Sequence, residues 1–329
     1  MPFFIDGLQT LNLEFILSAT YHLSLTARLL QTCCGLLLLA GSQAVPAKSI
    51  PVKTPAPAPA FATRQAALAA LPPLMLWVWE RPDDTRSWLA NSTRSSKSTE
   101  AGDAAAGADL QAQRIGVAVL DSTVLLRDGS ATVRRRQQAL RLPPEWSASG
   151  RLLPKAPLVT IVHIDMASGA HKPLLNERQK QTIVRTVTAA AKRSPSQVVQ
   201  LDFEVMHSQK PFLADIIRRS RAALPDNVAL SITAQPSWCV GDAWLADLPV
   251  DEVVPMAFRM TGDVKRTQEI LIHDGRFPRP ECQPSLGLAL NEQPWPDKLR
   301  SQRLYLFNRA AWSATPMASW SVRLGAFLP

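Results

Sequence analysis

The chain has 329 residues, 46% of them apolar and 19% charged, and a formal net charge of +9. That length allows one large domain or two ordinary ones, and the apolar share excludes a disordered or fibrous chain. The positive charge is spread thinly apart from Arg134-Arg135-Arg136, and no nucleic-acid module is readable, so nucleic acid is not an expected partner.

Near the N-terminus, Arg28 precedes an apolar run over 29–40, and Gly41-Ser42-Gln43-Ala44 offers small residues for cleavage. This is the pattern of an export leader. The run is short for a spanning helix and contains Gln31 and Thr32. Residues 1–44 are therefore read as a targeting segment, and the protein as periplasmic or secreted. Membrane contact is expected only through a leader left uncleaved. Residues 45–72 begin with VPAKSIPVKTPAPAPA, a Pro/Ala-rich linker unable to build a core, and 73–329 form the folded domain.

Eight strand-like apolar runs follow, at 74–79, 115–120, 158–164, 198–204, 228–234, 252–258, 285–290 and 304–307. Helical spacing predicts helices over 176–192 and 211–224, with shorter ones over 243–248, 263–273 and 297–301. Strands alternating with helices imply parallel pairing, and the size suits one α/β (β/α)8 TIM-like barrel. Two intervals fit that repeat poorly. Residues 91–113 are a low-complexity insertion after the first strand–helix unit, and 127–156 hold the arginine run but no helix. An irregular barrel and a doubly wound open sheet both remain open, and the arginine run is expected on a solvated loop.

Export would permit a disulfide between Cys239 and Cys282. Placed after the fifth strand and before the seventh, however, they fall near opposite ends of a barrel. Two separate thiols are the expectation.

The fourth strand carries the sharpest signal. In VVQLDFEV, Val199, Leu201, Phe203 and Val205 share one face, and Gln200, Asp202 and Glu204 share the other. Carboxylates on an otherwise apolar strand are costly to bury unless the strand end opens onto a cleft. At the same rim the other strand ends would deliver Glu80, His163, Asp165, Gln235, Trp238, Arg259 and Asn291. Amides and carboxylates bond hydroxyls, an aromatic face stacks on a sugar ring, and a carboxylic acid protonates a glycosidic oxygen. Residues i and i+2 on a strand lie about 6.5–7 Å apart. Asp202 would therefore raise the proton affinity of Glu204 and make it the general acid. Glu80, His163, Asp165, Gln200, Gln235, Trp238, Arg259 and Asn291 would bind substrate. The blander alternative is an ion-pair network of Asp202 and Glu204 with Arg259 holding the mouth. No phosphate-binding glycine loop, nucleophile elbow or zinc-spaced His/Cys cluster is present, so no cofactor or metal is expected.

The phrases LWVWERPDD, VVQLDFEV, LSITAQPSWC and LPVDEVVPMAFRM resemble an uncharacterised bacterial envelope family, catalogued as domain of unknown function 3142. More distantly, Gln200, Asp202 and Glu204 in Q-x-D-x-E are similar to the fourth-strand D-x-D-x-E of family 18 glycoside hydrolases, the chitinase-like barrels. That resemblance implies Glu204 as acid and Asp202 as the residue orienting substrate. Met256-Ala257-Phe258-Arg259 echoes the same family's sixth-strand M-x-Y-D, with Phe258 in place of Tyr and Arg259 in place of Asp. The missing Tyr hydroxyl argues against substrate-assisted chemistry on N-acetyl sugars, and Arg259 suits an acidic group. The expected function is hydrolysis of an envelope or extracellular polysaccharide. The competing class is a non-catalytic glycan-binding or scaffold protein.

Overall fold

The computed structural model describes residues 60–90, 113–241, 243–260, 264–292, 295–296 and 298–325. The expected leader, most of the expected linker and the low-complexity stretch to residue 112 lie outside the described residues. All eight expected strands form: β1 (Leu74–Val78), β2 (Ile115–Arg127), β4 (Leu158–Met166), β5 (Val198–Asp202), β6 (Ala229–Ala234), β7 (Glu252–Pro255), β8 (Ser285–Ala289) and β9 (Arg303–Phe307). They pair in parallel in the order β7-β6-β5-β4-β2-β1-β9-β8. The ends of that order, β7 and β8, meet through the single bridge Met256–Gly287. The result is a nearly closed, barrel-like sheet with helices outside it.

Strand alternation divides the core in two. Leu74, Leu76 and Val78 of β1 pack outward in the larger cluster beneath the helices, while Met75 and Trp77 join the inner cluster with Ala118, Val159, Ile161 and Tyr305. The inside is tight where glycine sits. A Cβ on Gly116 would come within 2.6 Å of the Pro157 carbonyl and 2.7 Å of Met75 Sδ, so no larger residue fits. The outer layer contains α3 (Glu177–Ala191) and α4 (Lys210–Ala223), both near their expected bounds, with Asn176 capping α3 through a reciprocal box with Gln179. α5 (Pro236–Val240) and α6 (Val264–Asp274) follow β6 and β7.

The helical repeat is less regular than the sequence suggests. After β2 comes no helix but an antiparallel strand, β3 (Ser130–Arg135), pairing Ser122–Arg127. The arginine run thus lies mostly on a strand rather than on a loop. Residues 243–248 form turns and 298–301 lack helix. Part of the expected linker folds as well. Thr63 caps α1 (Arg64–Ala69), accepting from the Ala66 N–H at 3.1 Å, and Phe61, Ala67 and Leu71 bury against the inner cluster. Their apolar side chains cover the lower end of the sheet, so the linker stops short of residue 61.

Where backbone pairing is thinnest, side chains bridge the seam. Glu252 on β7 accepts from Ser285 on β8 (2.7 Å), Arg303 on β9 (2.6 Å), Tyr305 (2.9 Å) and Ser231 on β6 (2.7 Å). Arg303 also donates to the Leu68 carbonyl at 2.7 Å, tying α1 to the floor. Burial opposes ionisation of Glu252, but Arg303 and the hydroxyls outweigh it and hold its pKa below the usual range.

Contrary to expectation, Cys239 and Cys282 form a disulfide, with Cα atoms 5.8 Å apart. The barrel-end argument fails because α5 begins directly after β6 and folds back outside the sheet. The segment before β8 meets it there, with the Arg279 N–H donating to the Cys239 carbonyl at 3.3 Å.

Arg303→Met leaves the Glu252 carboxylate buried without its cation. The expected loss is about 3–5 kcal/mol in urea unfolding. Adding Glu252→Gln should recover a good part of it, and an unchanged midpoint in the single variant would contradict the seam's role.

Candidate active site in the mouth of the sheet

In-register pairing places His163 of β4 beside Asp202 of β5. The His163 Nδ1 lies 2.7 Å from Asp202 Oδ2, and the Thr233 hydroxyl on β6 donates to Asp202 Oδ1 at 2.7 Å. Asp202 is thereby engaged on both oxygens, and its side chain is 5% exposed. On its other side His163 faces Asp165, with Nε2 3.7 Å from Oδ1, and the Asp165 side chain is 63% exposed. Past Asp202 the alternation continues although the strand ends. Phe203 and Val205 stay in the outer core, and Glu204 projects into the mouth. Asp165 and Glu204 therefore stand one alternation above the His163–Asp202 pair on neighbouring chain segments.

The electrostatics separate these two acids. Glu204 is exposed at the mouth, yet partial desolvation by the surrounding walls lifts its pKa above the usual carboxyl range and the neighbouring Asp202 charge adds to that, against smaller opposing effects of His163 and Arg259. The imidazole of His163, 3.7 Å away, holds Asp165 below its usual range. Burial disfavours the imidazolium, yet the carboxylates of Asp165 and Asp202 outweigh it and raise His163 to about 10. The mouth thus holds a charged imidazolium, an Asp165 that gives up its proton readily and a Glu204 of raised proton affinity.

Glu204 opens onto a recess whose walls include Gln235, Ser237, Phe258 and Arg259. Arg259 is exposed at φ +47°, and its N–H donates to Glu292 Oε2 at 2.8 Å. Beyond Gln235 and Ser237 lies a second, more open recess bordered by His207, Lys210, Trp238 and Gly241. Aromatic rings cross from β1 toward β7. Trp79 meets His163 edge-on at 5.2 Å, Trp77 lies 4.3 Å from Phe307, and Phe307 lies 4.3 Å from Phe258.

Of the sequence-predicted residues, Asp202, Glu204, His163 and Asp165 come together, and Gln235 and Arg259 join Glu204 at the recess. Four behave differently. Gln200 sits one alternation below Asp202, fully buried, and donates to Ser231 Oγ at 2.8 Å as part of the floor network. Glu80 accepts from the Gln137 and Gln138 N–H groups at 2.8 and 3.1 Å, anchoring the chain after β3. Trp238 is 3% exposed and packs on Trp244 at 4.9 Å, so it borders only the second recess. Asn291 is exposed on the turn after β8 and does not line the recess beside Glu204. Sequence reading did not single out Thr233 or assign Trp79 to the mouth. Period two would have supplied both, since Thr233 shares a face with Gln235, and Trp79 with Met75 and Trp77.

Among the described residues no group of three or more His, Cys, Asp or Glu side chains is placed to hold a metal ion. No helix among them is long and apolar enough to cross a membrane. No protein-family model, curated protein or solved structure matches the chain.

His163 gains proton affinity on folding, so its contribution to stability is complete below pH 6.5 and fades as pH rises toward about 10. His163→Asn should therefore lower stability most in mildly acidic buffer, the gap from wild type narrowing between pH 7 and about 10. Chemical denaturation across that range measures it. A gap that widens with pH would show that the imidazole is buried neutral.

Proposed function

We propose that the chain is an exported glycoside hydrolase-like enzyme on an irregular (β/α)8 TIM-like barrel, acting on an envelope or extracellular polysaccharide. The observation that carries this reading is the placement of Asp165 and Glu204 one alternation above the His163–Asp202 pair at the mouth, with Glu204 beside a recess, and their pKa values are displaced in opposite directions, Glu204 upward and Asp165 downward. Paired titratable groups pushed apart in this way are what acid and base roles require. Glu204, holding its proton, is the general acid that delivers it to the glycosidic oxygen as the bond to the anomeric carbon breaks. Asp165, ionised and exposed, supports the positive charge that develops on the sugar or draws a proton from the incoming water. Asp202 is occupied by His163 and Thr233 and acts by its charge, raising the proton affinity of Glu204.

Other features fit the same reading. Trp79 and Phe258 offer partly exposed ring surface for a sugar face, and Gln235 can bond hydroxyls. The similarity of Gln200, Asp202 and Glu204 to the chitinase-like strand motif agrees for Glu204 but not for Gln200, which is buried in the floor. The Cys239–Cys282 disulfide suits an oxidising compartment and thus the leader read at 28–44.

A hydrolysis screen over neutral and acidic glycans tests the assignment. Glu204→Gln should lower kcat on the best substrate by about 10²–10⁴-fold with binding retained, as loss of a general acid predicts. Asp165→Asn should lower kcat comparably and Asp202→Asn less. Glycan binding by wild type and all variants with turnover by none would assign the mouth to a binding module instead.

A further inference from the structure

The arginine run of the sequence divides into three fates once its strand is placed. Arg135 pairs with Ser122 across the β2–β3 ladder and reaches Asp121 at 3.5 Å, on the side where Arg193 binds the same carboxylate at 2.6 Å. Arg136 lies past the strand end, and its guanidinium donates to the carbonyls of Trp79 and Arg81, fixing the chain that carries the Trp79 ring. Arg134 belongs to the other face. It pairs with Thr123, which pairs in turn with His163, and residues opposite one another on adjacent strands project to the same side. The alternate residues of β2, Val124 and Leu126, are buried in the outer core, so Thr123, Leu125 and Arg134 face the open mouth. Its backbone stands two strand spacings, about 10 Å, from that of His163. Arg134 is exposed, and its guanidinium has no hydrogen bond or ion pair among the described residues.

Toward β7 Arg259 lines the Glu204 recess from a left-handed backbone position, φ +47°, that a non-glycine residue seldom adopts. Along the sheet, Arg134 on β3 and Arg259 after β7 thus stand on either side of the β4 and β5 segments that carry Asp165 and Glu204.

We infer that the substrate is an anionic glycan whose carboxylate-bearing sugars are gripped by Arg134 and Arg259 on either side of the bond presented to Glu204. This rests on the proposed function and adds the substrate's charge and the two residues that read it. Planar guanidinium groups suit carboxylates through paired hydrogen bonds. A nucleic-acid strand fits less well, because it needs a continuous basic track, whereas Asp165 and Asp202 interrupt this one.

Binding without turnover tests the inference. Calorimetry with polygalacturonate and with its fully methyl-esterified form compares one backbone with and without charge. Wild type should bind the acid at least about tenfold more tightly, as expected for charge-assisted contacts. Arg134→Ser and Arg259→Lys should each lose about tenfold on the acid and little on the ester. Arg218→Ser removes an exposed cation from α4 and should change neither. Thermal melting verifies that each variant is folded. Equal binding of acid and ester, an equal loss in Arg218→Ser, or equally tight and Arg134-dependent binding of single-stranded DNA would each overturn it. Charge-selective binding without hydrolysis would leave this inference standing and remove the proposed activity. Hydrolysis confined to neutral glycans would do the reverse.

Discussion

The register between β4 and β5 is the constraint on which the mouth depends. Strand side chains alternate with period two, so a slip of β5 by one residue would send Asp202 and Glu204 toward the helices, away from His163 and Asp165, and bring Phe203 and Val205 inside. Burial makes that slip costly. Val199, Leu201, Phe203 and Val205 all sit in the outer core, and each contributes roughly 1.5–3 kcal/mol by leaving water. Apolar burial on one face thus selects the polar arrangement on the other, and the His163–Asp202 hydrogen bond closes at 2.7 Å as a consequence.

Above and below that level the interior uses polar groups differently. At the floor, Glu252 is matched by Arg303, Tyr305 and two serines, and it spans the one seam where backbone pairing falls to a single bridge. Each Glu252 oxygen accepts two hydrogen bonds, and the network holds the ring shut. At the mouth the matching is incomplete: Asp202 is satisfied, but among the described residues Glu204 has no ion pair, and Asp165 is largely exposed. The contrast separates a carboxylate that holds structure from carboxyl groups free to meet a ligand.

Much of this was legible in the chain itself. All eight strands stand near their expected positions, because β-branched runs with period two have few other ways to fold. Glu204 and Asp202 were found by the same periodicity, and His163 and Asp165 by lying at a strand end. What local pattern could not show were the partners. Gln200 and Asp202 look alike along the strand, yet one lies among floor hydroxyls and the other beside an imidazole. Cys239 and Cys282 meet because α5 turns back at once, a tertiary fact with no local signal. The hairpin strand β3 was hidden by composition, since every residue from Thr132 to Arg135 is exposed and no apolar alternation marks it.

The central claim is that Glu204 and Asp165 hold different protonation states at the same pH. Carboxyl ¹³C NMR titration of the intact protein, assigned through Glu204→Gln and Asp165→Asn, reads both groups directly. The account predicts a Glu204 midpoint above the ordinary glutamate range and an Asp165 midpoint below the ordinary aspartate range. A Glu204 that titrates below Asp165 would contradict it.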